Sequence, residues 1–233
     1  MRLFFWISTL VNLTIPGTGF ALIGAYRHAV ATHCLFVLSV VMVCWSRWIF
    51  EPEGWLALLL LFLVLHTVSI YHLLSVMKHR TPGWRWRNIG IALAFVSVVL
   101  GAVYYGFMTK DRWLGLHIFY VPSQSMQPTL MPGDFILIDT WAYGNAAPEY
   151  GDIAVFTRAS RPEYLVKRVS QAPNKTEVAT DHYYMTGDNP SHSTDSRQFG
   201  TIPRDRLIGP ARMVLFALDR QLKPVAGRWL IEL

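Results

Sequence analysis

Residues 55–77 read WLALLLLFLVLHTVSIYHLLSVM, 23 consecutive positions without a charged side chain. A helix rises 1.5 Å per residue, so roughly 20 residues cover a ~30 Å hydrocarbon core. Buried helices of soluble proteins seldom run this far without a charge, so the stretch reads as a membrane crossing. His28–Ser46 and Ile89–Met108 are uncharged over similar lengths. Three transmembrane helices, at about 28–46, 55–77 and 89–108, are therefore expected within a membrane domain of residues 28–110. The composition agrees: of 233 residues, 52% are hydrophobic and 15% charged, against about a quarter charged in soluble domains. That balance excludes a disordered chain.

The net charge of +6 is unevenly placed. Residues 1–110 hold eight Lys and Arg against Glu51 and Glu53, whereas residues 111–233 hold thirteen basic and thirteen acidic groups. A basic excess confined to the apolar half is a topological signal, and no nucleic-acid partner is expected from it. The connection Lys78–Arg87, KHRTPGWRWR, is strongly basic, and the connection around Glu51 and Glu53 is acidic. Lys and Arg stay on the cytoplasmic side, so the helix at 89–108 runs outward and places residues 111–233 outside. Leu3–Ala25 is apolar but interrupted by Pro16-Gly17-Thr18-Gly19. Residues 1–26 read as a re-entrant or interfacial segment, with a fourth crossing as the alternative. Cys34 and Cys44, the only cysteines, both fall in the first span and read as packing groups.

The outer domain, 111–233, has another texture. Short β-prone runs at Phe135–Asp139, Ile153–Thr157, Tyr164–Val169, Tyr183–Thr186 and Arg212–Leu218 are punctuated by Gly133-Asp134, Gly151-Asp152 and Gly187-Asp188. This spacing predicts a small, mostly antiparallel sheet or barrel. The expected fold is thus N-terminal transmembrane α-helices followed by an antiparallel β catalytic domain.

Where that domain begins, the chain reads Val121-Pro-Ser-Gln-Ser-Met-Gln-Pro-Thr-Leu130. Two serines one residue apart, between prolines that restrict the backbone, are candidates for a nucleophile site as well as for a turn. Further along stand Gly151-Asp-Ile-Ala-Val-Phe156, Tyr164-Leu-Val-Lys-Arg-Val169, Gly187-Asp-Asn189 and Ser193-Thr-Asp-Ser-Arg197. In this order, over about residues 119–217, the blocks resemble bacterial type I signal peptidases, which are Ser–Lys serine proteases. The resemblance implies a membrane-bound endopeptidase that cuts N-terminal signal peptides from exported preproteins at Ala-x-Ala-like sites. It further implies a multi-pass protein of the bacterial inner (plasma) membrane with its catalytic domain on the periplasmic or extracellular side.

By that resemblance Ser125 is the nucleophile and Lys167 its general base. A serine hydroxyl attacks only once a neighbour takes its proton, and a lysine can do so near neutral pH only if burial lowers its pKa. Leu165, Val166 and Val169 supply an apolar setting, and Arg168 is expected on the opposite strand face. Ser193 matches a serine that orients the lysine amine, and Ser123 one that helps the Ser125 N–H hold the oxyanion. Asp195 and Arg197 match a paired acid and base expected to hold the loops together, and Asp188 and Asn189 read as turn architecture. Phe119, Val121, Pro122, Met126, Leu130, Leu165 and Val166 are expected to border a groove in which the substrate pairs as an added strand. Trp113, Ile118, Trp141 and Tyr143, where exposed, would rest on the lipid bilayer.

Of the eight histidines His117 lies in the stem, and only His182 and His192 lie in the body of the catalytic domain, without metal-ligand spacing. Neither a His-based triad nor a metal is expected, and no cofactor is called for. Two features depart from the family pattern. Only Arg168–Thr186 separates the lysine block from Gly187, so a large β insertion of many relatives is missing, and the membrane half has more spans than usual. These leave open a peptidase dedicated to one exported class, such as a pilin or conjugation protein. Alternatives of another kind are a catalytically silent, signal-peptide-binding membrane scaffold, or a relative of self-cleaving repressors, which would need a DNA-binding domain where the spans stand.

Overall fold

A computed structural model describes residues 2–79, 83–158, 161–173 and 179–233. Residues 80–82 of the basic connection lie outside the described residues. The chain divides into two compact units, one of residues 1–49 and 53–109, the other of residues 50–52 and 110–233.

The first unit is helical: α1 (Arg2–Thr14), α2 (Thr18–Leu22), α3 (Tyr26–Trp45), α4 (Pro52–Lys78) and α5 (Trp86–Met108). α3, α4 and α5 are long and apolar enough to cross a membrane, which makes this a multi-pass membrane protein. α4 carries Glu53 in its first turn and Lys78 in its last, the arrangement that complements the helix dipole. Leu59, Leu63, Val64, Val98 and Val103 are more than half exposed, apolar surface that suits lipid and not water. α1 spans 13 residues, about 20 Å, short of a ~30 Å core. The chain breaks after it at Gly17, whose φ is 102° and where a Cβ would meet Ala29 O at 2.4 Å. The break is fastened by Asn12, whose Oδ1 accepts from Gly17 N–H at 2.9 Å and whose Nδ2 donates to Ser69 Oγ on α4 at 2.9 Å. α2 is then buried throughout, and Phe20 packs with Phe4, Ala29, Leu73 and Ala92.

The second unit contains β1 (Leu116–Tyr120), β2 (Asp134–Asp139), β3 (Ile153–Arg158), β4 (Arg161–Ser170), β5 (His182–Thr186), β6 (Ile202–Pro203), β7 (Leu207–Ala217) and β8 (Ile231–Glu232). They pair in the order β1-β2-β7-β3-β4-β5-β6, with β8 also on β7, and every pairing is antiparallel. β7 starts five residues before the expected Arg212, running through Gly209 and Pro210. Its first part pairs with β3 up to Pro210, and from Ala211 it pairs with β2. The proline therefore stands where the strand changes partner, a place where a missing N–H is tolerated. Alternating residues build two cores. Val121, Met126, Leu130, Ile136, Ile138, Val155 and Val214 form one, and Ala154, Phe156, Val169, Met185 and Leu207 form the other.

Candidate active site

Ser125 sits in a loop that leaves β1 and returns into β2. Two backbone hydrogen bonds close the base of the loop: Val121 N–H to Asp134 O and Gly133 N–H to Val121 O, both 2.9 Å. Inside it, Gln127 N–H donates to Gln124 O at 3.1 Å and Leu130 N–H to Met126 O at 2.9 Å. These turns direct Met126 and Leu130 into the core, so Ser125 rests on a packed floor.

Lys167 comes from β4, opposite Ala154 of β3. Its side chain is buried, and its Nζ donates to Ser125 Oγ at 2.6 Å and to Val166 O at 3.0 Å. Burial lowers its pKa to about 8, while the carboxylates of Asp195 and Asp188 pull it upward. The exposed Ser123 places its Oγ 3.1 Å from Ser125 Oγ.

Ser193 is buried beside this pair, but its hydroxyl donates to Asp195 Oδ2 at 2.7 Å. The amine takes Ser125 Oγ and Val166 O where a bond to Ser193 was expected. A carboxylate is the stronger acceptor for the one hydroxyl proton. Asp195 is fully buried and also accepts from Gly187 N–H (2.9 Å), Arg197 Nε (2.8 Å), Arg197 Nη2 (2.6 Å) and Arg197 N–H (3.3 Å). Burial acts to raise its pKa, but the hydrogen bonds from Arg197, Gly187 and Ser193 outweigh it and hold the carboxyl well below the usual range. The same residue caps the short helix Ser196–Phe199, completing the box with Gln198.

On the other face of β4, Arg168 forms an ion pair with Asp188 through Nε (2.9 Å) and Nη2 (2.7 Å) and donates to Gly151 O at 2.7 Å. Thr129 Oγ1 adds a bond to Asp188 at 2.6 Å. Asn189, read from sequence as turn architecture, does more: its N–H donates to Ser125 O at 3.0 Å and its Nδ2 to Gln124 O at 3.2 Å. Gly187 leaves no room for a side chain, since a Cβ would meet Ser193 Oγ at 2.2 Å and Ser125 O at 2.5 Å. Gly187→Ala is expected to displace one of these serines and to lower any turnover that depends on the Ser125–Lys167 contact about 100-fold, as ångström-scale misplacement does; a kinetic comparison at saturating substrate checks it.

The groove residues divide. Val121, Met126 and Leu130 are 0–1% exposed and form the floor, a correction to their expected place on a pocket wall. The reason is the loop closure, which points all three inward. Phe119, Leu165 and Val166 are half-buried and Pro122 is exposed, so these are available to a ligand. Phe119 of β1 and Tyr164 of β4 bring their rings to 4.8 Å. Tyr143 is buried with its hydroxyl on Asp152 at 3.0 Å, so it offers no lipid contact. His192 is exposed and bonded to Ser191, and His182 bonds Thr180 O.

Sequence reasoning missed one partner. Asp134, read as turn punctuation, is fully buried and accepts from Met131 N–H at 2.8 Å and from Arg228 Nε at 3.1 Å, with Arg228 Nη2 closing the pair. An acid heading the apolar run Phe135-Ile-Leu-Ile138 called for a cation, but its partner lies 94 positions away.

The family model for signal peptidase, peptidase S26, matches residues 91–174 and 170–216. A probable signal peptidase I-2 from Synechocystis sp. is 26% identical across 66% of this chain and 84% of its own length. Signal peptidase I from Leptolyngbya laminosa is 28% identical across 56% and 80%. Mitochondrial inner membrane protease subunit 2 from Saccharomyces cerevisiae is 31% identical across 61% and 88%. With a match that takes in most of α5 and the sheet domain almost to the end of β7, this chain belongs to the signal peptidase family of hydrolases.

Proposed function

We propose that the protein is a membrane-bound serine endopeptidase that removes signal peptides from exported preproteins through a Ser125–Lys167 dyad. The observation that carries this reading is the 2.6 Å contact between Lys167 Nζ and Ser125 Oγ in a buried setting that lowers the amine pKa to about 8. Neutral Lys167 takes the Ser125 proton as Oγ bonds to the scissile carbonyl carbon. The Ser125 N–H and the Ser123 hydroxyl stabilise the oxyanion. The Lys167 ammonium then returns the proton to the leaving amine as the C–N bond breaks, giving an acyl-enzyme and the mature N-terminus. A water, deprotonated by Lys167, attacks the ester carbonyl; as the C–Oγ bond breaks, the Lys167 ammonium returns that proton to Ser125 Oγ, and the signal peptide leaves as a carboxylate with its acid proton lost to solvent. Ser193, tethered to Asp195, borders the dyad, and the amine is aimed by its bond to Val166 O.

β1 ends the sheet, and β4 pairs with β5 only from Arg168 onward, so both have strand edges open towards the site. The substrate adds between them as a strand, with Phe119, Pro122, Leu165 and Val166 beside the residues before the cut. The basic Lys78–Arg87 connection keeps α5 running outward and the sheet domain on the outer face, and residues 1–26 serve as a re-entrant or interfacial segment.

The test incubates detergent-purified full chain with a panel of preproteins and reads cut sites by mass spectrometry. Cleavage after Ala-x-Ala-like ends, absent in Ser125→Ala, is expected; no cleavage of any preprotein would favour the silent scaffold. Because the base acts when neutral, kcat/KM is expected to rise about tenfold per pH unit below about 8 and to level off above it. A flat profile from pH 6 to 9 would remove Lys167 from that role.

A further inference from the structure

We infer that Arg228, on the segment after β7, is a positioning residue for Ser125, clamping the nucleophile loop from outside the matched family region. The segment is built onto the sheet: Val225 N–H donates to Ala217 O at 3.0 Å, Leu230 N–H to Leu215 O at 3.2 Å and Leu233 N–H to Arg212 O at 3.0 Å. From it the mostly buried guanidinium of Arg228 reaches two points on the loop. It grips the carboxylate of Asp134, which is 0% exposed, through Nε and Nη2, and Nη2 also donates to Thr129 O at 3.3 Å. Asp134 in turn accepts from Met131 N–H, and its own carbonyl accepts from Val121 N–H at the loop base.

Thr129 is thereby held at both ends. Its carbonyl is bound by Arg228, and its hydroxyl donates to Asp188, the partner of Arg168 next to Lys167. One residue joins two ion pairs, of which one anchors the loop carrying Ser125 and the other anchors the strand carrying Lys167. A planar guanidinium can serve a carboxylate and a carbonyl together, whereas an ammonium is a point charge without that fork. Arg228 touches neither reacting atom. It fixes the register of residues 125–134 relative to β4, and so the distance between Oγ and Nζ.

The inference rests on the proposed dyad for its kinetic consequence and on geometry alone for its mechanical one, so two measurements separate them. In hydrogen exchange on the full chain, Arg228→Met is expected to speed exchange of amides 123–131 about tenfold while β3 and β5 stay unchanged. In preprotein cleavage below the melting temperature, kcat is expected to fall about 10- to 100-fold with KM and the limb near pH 8 unmoved. Arg228→Lys, which keeps the charge and loses the fork, is expected to lie between. Unchanged exchange in 123–131, or wild-type kcat in Arg228→Met, would overturn the inference. Faster exchange across β2, β3 and β7 in both variants would also overturn it, marking a general folding staple. If wild-type protein cleaves nothing, the peptidase reading falls while the exchange result still decides the clamp.

Discussion

Ser125→Ala and Lys167→Met are each expected to lose preprotein cleavage by about 10⁴-fold or more, and the double variant to lose no more than either one. In the proposed mechanism the two side chains perform one act, proton removal coupled to attack, so removing either disables both. Their effects on stability should differ. Folding places Lys167 where its pKa drops from 10.5 to about 8, a cost to the folded state on the order of 3 kcal/mol below pH 8. The sign follows from proton binding. Between about pH 8 and 10.5 the unfolded chain holds the lysine proton more tightly, so wild-type stability rises with pH across that window. Lys167→Met lacks the buried charge and is expected to melt no lower than wild type at pH 7, with the margin shrinking toward pH 10. Melting and cleavage assays on the same preparations check this. A variant that is both inactive and much less stable at pH 7 would mean that Lys167 holds the fold together.

Asp195→Ala is expected to destabilise the sheet domain by about 3 kcal/mol, the low end for breaking a buried pair, because the 37% exposed Arg197 side chain can return to water. For a domain of this size that is a melting shift of about 10 °C. The loss arises from what the carboxylate leaves behind: the Gly187 N–H, the Ser193 hydroxyl and the first turn of the helix Ser196–Phe199. Cleavage should fall with it, since Ser193 and Gly187 border the dyad. Asp195 is depressed in the folded state, so its stabilisation is complete above the ordinary carboxylate pKa of about 4 and fades as pH falls below it. Asp195→Asn, which keeps the shape without the charge, is expected to show a smaller melting shift and a shallower acid decline than wild type. Identical acid limbs would show that other carboxylates dominate.

Much of this was readable in the chain because it depends on local pattern. Uncharged length marks α3, α4 and α5, since lipid selects apolar side chains whatever the neighbours do. Four of the five expected strands lie within the observed ones, because turn residues such as Gly133 and Gly151 bound them. β1 is legible only as a substrate-facing edge, because the single Gly115 before Leu116–Tyr120 is weak punctuation. β6 and β8, of two residues each, are too short for alternation to reveal. The start of β7 was hidden by Pro210, which normally ends a strand and here marks a change of partner.

The division between sequence and structure follows the range of the forces. Residue chemistry by itself determined a multi-pass membrane half and a β domain after it, and the resemblance of the motif blocks pointed to Ser125 and Lys167 as the pair to bring together across 42 positions. Only the tertiary structure decided how that pair is held: Val121, Met126 and Leu130 as floor, Ser193 on Asp195, Asn189 on the Ser125 carbonyl, and Arg228 on Asp134. A burial-lowered pKa and an ion pair between distant residues arise when strands close around a site and exclude water, and no local pattern states which distant groups will then face each other.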